Sequence, residues 1–104
     1  MTDDQYLSLT ADDSLSDIFP ITRAQTRAAI GITPSAWGGA VVEVEWTIDD
    51  DLERWFSFEK SYTLSSSVPA RTGVPVAGLL AIRLRTITPG SGGDSQAVYD
   101  VRVT

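Results

Sequence analysis

Apolar and polar residues alternate along much of this chain, most clearly at residues 40–48, where valine, tryptophan and isoleucine are separated by glutamate and threonine. A period of two residues is typical of a strand with one face in a core and the other in solvent. The same period recurs at residues 79–88 and at residues 97–104, so the pattern predicts three clear strands. The core side chains expected from the first of them are Val42, Val44, Trp46 and Ile48.

Shorter alternations predict further strands around these three. They lie at residues 6–10, 15–21, 27–33, 55–58 and 60–65, the first two being halves of one edge strand. Proline and glycine clusters separate the segments, and no helical period of comparable length occurs. About seven to eight short strands predict a single all-β domain over residues 1–104, an antiparallel immunoglobulin-like β-sandwich. Residues 1–5 are expected to form a flexible N-terminal arm.

An immunoglobulin-like order makes three of these strands neighbours in one sheet. Strand B is then residues 27–33, C is 40–48, F is 79–88 and G is 97–104, with C, F and G adjacent. Their outward charged side chains are Glu43 and Glu45 on C, Arg83 and Arg85 on F, and Asp100 and Arg102 on G. Opposite charges facing each other across strands favour one register, because like charges there are unfavourable. We therefore expect ion pairs on a solvated face of this sheet.

The ionisable residues exclude several classes of function. Fourteen acidic residues against eight basic ones give a net charge of −6, which repels the phosphates of nucleic acids. The chain has no cysteine and no histidine, so it offers no thiolate or imidazole ligand to zinc, iron–sulfur clusters or haem. No window is apolar for the ~18 residues that a membrane span needs. We expect no nucleic-acid partner, no membrane and no cofactor.

Each candidate for catalysis or metal binding has a better structural interpretation. Glu43 and Glu45 share a strand face at a spacing seen in inverting glycosidases, but a general acid needs a desolvating pocket. The acidic turn at residues 49–53 offers oxygen ligands to Ca²⁺ but lacks the spacing of an EF-hand. Lys60 and Ser61 could suggest a Ser–Lys catalytic dyad, but adjacent residues on a strand point to opposite faces. We therefore expect no catalytic residue, no metal site and no enzymatic activity.

The loop at residues 33–39 carries the first residues that we expect to contact a partner, Trp37 and Pro34. The predicted strand order places this loop at the same end of the sandwich as the loop at residues 89–94. A tryptophan flanked by glycines there has two interpretations. It either anchors a partner protein or a sugar, or folds back and plugs the open end of the core.

A second candidate contact lies at residues 68–75, a predicted loop rich in turn residues. Pro69 and Arg71 are the residues there that we expect to meet a partner. Loops of this composition can become ordered on docking against a neighbour.

Several segments together resemble small immunoglobulin-like structural proteins of tailed bacteriophages. They are GGAVVEVEWTIDD at residues 38–50, Trp55, LAIRLR at residues 80–85 and VRV at residues 101–103. In that group, a strand ending in an acidic turn is followed by a tryptophan and later by a strand that carries an arginine. The resemblance covers about residues 38–104.

The resemblance implies a virion component that is present in multiple copies and carries no catalytic residues. It is expected to be a capsid decoration (cement) protein or a head or tail accessory. Its partner would be a phage capsid, neck or tail protein, and its location the virion, with the host cytoplasm during assembly. The alternative is a carbohydrate-binding or adhesion module, in which Trp37 and Trp55 would present a stacking surface to a glycan.

Overall fold

The computed structural model describes residues 6–11, 13–58, 63–65, 70–91 and 95–104. They form eight strands, β1 (Tyr6–Ser8), β2 (Phe19–Pro20), β3 (Arg27–Pro34), β4 (Val41–Thr47), β5 (Phe56–Ser57), β6 (Ala70–Pro75), β7 (Ala81–Thr88) and β8 (Gln96–Val103). Every strand pair is antiparallel. The described residues contain no helical segment with the length and hydropathy that a membrane crossing requires.

The strands form two four-stranded sheets, sheet 1 in the order β1-β8-β3-β6 and sheet 2 in the order β2-β7-β4-β5. The pairs β1:β8, β2:β7, β3:β6 and β4:β5 make the chain one long hairpin with its tip between β4 and β5. Successive pairs fall in alternate sheets, so the hairpin is wound around a central core. The pairs β3:β8 and β4:β7 join neighbouring turns of the winding. This is the topology of a jelly roll.

The predicted antiparallel sandwich of seven to eight strands is confirmed, but its strand order is that of a jelly roll in place of the predicted immunoglobulin-like order, and one predicted neighbour is wrong. Strands C and F are β4 and β7 and are adjacent in sheet 2, as expected. Strand G is β8, which lies in sheet 1 beside β3 and not beside β7. Alternation specifies which face of a strand is apolar but not which sheet the strand joins. The sequence pattern of β8 is therefore compatible with either sheet.

Two predicted segments are also organised differently. Residues 6–10 and 15–21 are not halves of one edge strand, because β1 pairs in sheet 1 and β2 pairs in sheet 2. The predicted loop at residues 68–75 contains β6, whose alternate residues Ala70 and Val74 are buried. The glycine, prolines and arginine of this segment interrupt its alternation of apolar and polar residues, so the pattern predicted a loop. Residues 60–62 of a predicted strand and the predicted arm at residues 1–5 lie outside the described residues.

The core lies between the inner faces of the two sheets. Its fully buried side chains include Leu7, Leu9, Ile30, Ile32, Val42, Val44, Val74 and Leu84. Trp46 faces this core and is half-buried at its edge, where its ring stacks on Phe56 with centroids 4.8 Å apart. Ile48, expected in the core, is 59% exposed because β4 ends at Thr47 and the chain turns away.

Candidate functional site

The outer face of sheet 2 carries a cluster of charged side chains, Asp13, Glu43, Glu45, Arg83 and Arg85, called here the charge cluster. Its centre is set by strand register, which places Glu45 opposite Arg83 and Glu43 opposite Arg85. Glu45 Oε1 accepts a hydrogen bond from Arg83 Nε at 2.8 Å, and Glu45 Oε2 accepts one from Arg85 Nη1 at 3.2 Å. The predicted ion pairs between strands C and F are confirmed.

Two further acidic groups extend the charge cluster. Arg85 donates from Nη2 to Asp13 Oδ1 at 2.7 Å, and its Nη1 lies 3.6 Å from Glu43 Oε1. The hydrogen bond with Asp13, followed by that with Glu45, raises the pKa of the Arg85 guanidinium above its ordinary value. Glu43 Oε1 also accepts from the Ser57 hydroxyl at 2.7 Å. These contacts tie three strands and the turn at Asp13 into one surface network.

The loop between β4 and β5 covers part of this face, which the sequence predicted to be solvated. The indole ring of Trp55 lies over the Arg83 guanidinium, 4.2 Å from its centroid to Cζ. Thr47 Oγ1 donates to the Arg54 carbonyl at 2.6 Å, which draws the returning chain onto the sheet. As a result Glu45 is only 4% exposed, although it lies on the outer face. Alternation alone gave no signal for this covering loop.

The turn within that loop is the predicted acidic turn, residues 49–53, called here the acidic tip. The Asp49 carboxylate accepts from the backbone amides of Asp51, Glu53 and Arg54 at 3.1, 3.2 and 3.1 Å. These bonds, above all that from Asp51, lower the pKa of Asp49 below its usual value. Both carboxylate oxygens of Asp49 are thus used to shape the turn, while Asp50, Asp51 and Glu53 are exposed.

The chemistry available at these groups is that of structural ion pairs. Both carboxylate oxygens of Glu45 accept hydrogen bonds from guanidinium groups, Oε1 from Arg83 and Oε2 from Arg85. Among the described residues, no group of three or more acidic side chains is arranged to hold a metal ion. The expectation that the chain has no catalytic residue stays a prediction.

The structure places Trp37 in the core. Its side chain is 7% exposed, and Pro34 is buried as well. Of the two interpretations of Trp37, the plug is therefore the one found, and its ring is not offered as an anchor. The Trp37 carbonyl accepts from the Ala40 amide at 2.8 Å, and the Gly38 carbonyl accepts from the Ser91 amide at 2.9 Å. Residues 89–91 and the loop at residues 33–39 therefore lie at the same end of the sandwich, as predicted.

The other two predicted contact residues have different outcomes. Pro69 lies outside the described residues. Arg71 lies on β6 and is exposed on the outer face of sheet 1. There it borders an open trough of about 850 Å³.

The floor of this trough is the middle strand β3. Ala29 and Gly31 point outward from it, and Gly73 of β6 pairs with Ala29. A Cβ added at Gly31 would meet nothing within 4 Å, so the backbone there is accessible to a bound partner. Gly31 lies opposite Arg71 on one side and opposite Asp100 on the other. The strands that carry these two residues are about 10 Å apart, two strand spacings.

Arginines line the trough on both sides. Arg71 stands on β6, and Arg102 stands on β8 opposite Ala29. Arg27 joins them, because its Nη2 atom would lie 3.2 Å from a Cβ added at Gly73. We call these three residues with Ala29, Gly31 and Gly73 the arginine trough. Of these residues only Arg71 was a predicted partner contact, while Arg102 was predicted to lie outward in ion pairs with other strands. Glycines at outward strand positions are the signal in the sequence that indicates such an open surface.

Comparison with known proteins bears on the fold. No protein-family model matches the chain, and no curated protein matches its sequence. Among solved structures, the chain is similar to the crystal structure of the SPBc2 prophage-derived protein YomS. The TM-score is 0.59, and the match covers 100% of this chain and 97% of that one. Because the sequences are only 9% identical, the likeness concerns the fold alone. The two chains share a β-sandwich architecture over the whole length.

Proposed function

We propose that this chain is a non-enzymatic structural protein of a bacteriophage virion, a capsid decoration or head–tail accessory protein. It acts through protein–protein contacts made by many copies. The observation that carries this proposal is the likeness of fold, over nearly the full length of both chains, to a prophage-derived protein. Jelly rolls also occur in viral capsid domains, and this support is an argument from fold, because one fold hosts many functions.

The surfaces favour contacts over chemistry. The buried carboxylate of Glu45 is held in ion pairs with Arg83 and Arg85, where it stabilises the pairing of β4 with β7. The trough on sheet 1 is open and borders on exposed charged side chains, which suits a protein neighbour better than an enclosed small molecule.

The alternative, a carbohydrate-binding or adhesion module, has less support from the aromatic residues named for it. Trp37 is buried, and one face of the Trp55 ring is covered by Arg83. A glycan site of the expected kind needs a flat, accessible ring. Titration with a panel of oligosaccharides, followed by tryptophan fluorescence, tests this alternative. We expect no saturable change, and a saturable change would favour glycan binding.

Deletion of the coding sequence from the source phage tests the structural role. We expect particles that form in lower yield or break at a lower temperature than wild-type particles. Supplying the wild-type chain in trans should restore both properties. Unchanged yield and thermal stability of the deletion particles would count against the proposal.

A further inference from the structure

The arginine trough holds positive charge that the described part of the chain leaves unpaired. No ion pair among the described residues involves Arg27, Arg71 or Arg102, whereas Arg83 and Arg85 are both paired. Among the described residues that line the trough, Asp100 is the one acidic side chain, so three arginines and one aspartate give a local charge of about +2 in a protein whose net charge is −6. Planar guanidinium groups around an open floor suit carboxylates, which they can bind in a bidentate manner.

The same chain carries a surface of opposite charge. In the acidic tip, Asp50, Asp51 and Glu53 are exposed and form no ion pair within the described residues. The three backbone bonds to Asp49 fix the turn, so little conformational freedom would be lost when it docks. Leu52 lies among these carboxylates and is 40% exposed, so the tip also offers apolar surface.

The two surfaces lie on opposite faces of the sandwich. The trough is on the outer face of sheet 1, and the loop that contains the acidic tip folds over the outer face of sheet 2. One copy therefore cannot satisfy its own trough. A contact of this kind joins unlike surfaces of two copies and leaves a free trough and a free tip at the ends.

We propose that the arginine trough binds the acidic tip of a second copy of this chain, giving a head-to-tail contact that can repeat. The inference rests on the proposed function in one respect, namely that the protein works in many copies. A contact made by one turn is small, so we expect weak association, with a Kd of about 10 µM to 1 mM. Repetition in an assembly would raise the avidity.

Sedimentation velocity of the purified chain over a range of concentrations tests the contact. We expect wild-type protein to associate at about 50 mM NaCl and to dissociate at about 500 mM, because salt screens exposed charges. Arg71→Glu should weaken association at least about fivefold. Arg23→Glu is the matched control, since Arg23 is exposed in the turn before β3, is not among the residues that line the trough, and undergoes the same change in charge. It should leave association within about twofold of wild type.

A charge swap identifies the occupant of the trough. R71E/R102E has an acidic trough and an acidic tip, and D50R/D51R has a basic trough and a basic tip. Each variant alone should stay monomeric because its two surfaces repel. An equimolar mixture should associate in alternation, since both kinds of junction are then between opposite charges.

Three results would overturn the inference. The first is a wild-type chain that stays monomeric up to about 1 mM. The second is an Arg71→Glu variant that associates as well as Arg23→Glu. The third is a mixture of the charge-swapped variants that stays monomeric although circular dichroism shows that both are folded. These results are separable from the proposed function. Recovery of the chain in phage particles without self-association would refute this contact alone, and self-association of a chain absent from particles would refute the virion role alone.

Discussion

Glu45 and Arg83 face each other across β4 and β7 and are joined by a hydrogen bond of 2.8 Å between Oε1 and Nε. Both lie on the outer face of their sheet, yet Glu45 is almost fully buried. The loop after β4 returns over them and places Trp55 on the Arg83 guanidinium. An ion pair that alternation assigns to a solvated face is thereby largely covered, with 18% of the Arg83 side chain and 5% of the Glu45 side chain exposed.

Replacing Glu45 by glutamine tests how far this ion pair stabilises the fold. The change keeps the shape of the side chain but leaves Arg83 and Arg85 without their shared carboxylate. We expect the free energy of unfolding in urea to fall by about 1.5–3 kcal/mol. Glu43→Gln is the matched control and should lower it by less than about 1 kcal/mol, because the contact of Glu43 with Arg85 is longer and more exposed. Equal losses in the two variants would contradict this assignment.

Alanine at Gly38 tests how the loops at the Trp37 end are held together. Gly38 has a φ of +56°, and a Cβ there would overlap the Ser91 carbonyl oxygen. We expect Gly38→Ala to lower the stability by more than about 2 kcal/mol in thermal or urea unfolding. Gly39 also has a positive φ but has open space around its Cβ position, so Gly39→Ala should lose only about 1 kcal/mol. Similar stabilities for the two variants would argue against close packing of these loops.

The acidic tip should make stability depend on acidity through Asp49. Its pKa is lower in the folded chain than the ordinary value of 3.8, chiefly because its carboxylate accepts from the Asp51 amide. The resulting stabilisation is present above that ordinary value and disappears as the pH falls through the folded pKa. Asp49→Asn should therefore unfold at a lower temperature than wild type at pH 7, and the gap should close in strong acid. A difference in unfolding temperature that persists at the lowest pH would contradict the assignment of this pH dependence to Asp49. Asp50→Asn is the control.

Tyr99 should give the opposite trend in alkali. Burial raises the pKa of its phenol above 10.0, and its oxygen accepts from the Asp17 amide at 3.1 Å. The unfolded chain ionises first, so wild-type stability should fall as the pH rises past about 10. Tyr99→Phe should be about 1 kcal/mol less stable at pH 7 and should lack this alkaline decline. An equal decline in the variant, measured by urea unfolding at several pH values, would refute the assignment.

The sequence predicted the positions of the longer strands and one of the strand pairs. Apolar alternation located β3, β4, β7 and β8, and the immunoglobulin-like order predicted the β4:β7 pairing, with which the charges at Glu43, Glu45, Arg83 and Arg85 agree. Alternation is local to one strand, so a period of two suffices to locate it, whereas facing opposite charges only support a pairing that the strand order has already proposed.

What the sequence did not predict depends on the way the hairpin winds. The choice of sheet for β8 follows from the global topology, since its alternation fits either sheet. The burial of Trp37 depends on a neighbouring loop that meets it only in the folded chain. The arginine trough combines residues from β3, β6 and β8. Arg71 lies on β6, whose turn-forming residues led to the prediction of a loop.

Quantitative mass spectrometry of purified particles from the source phage, with chemical cross-linking, tests the proposed virion role most directly. We predict that the chain copurifies with particles at a fixed ratio to the major capsid or tail protein and is cross-linked to one of them. A chain that is abundant in the lysate but absent from washed particles would contradict that role.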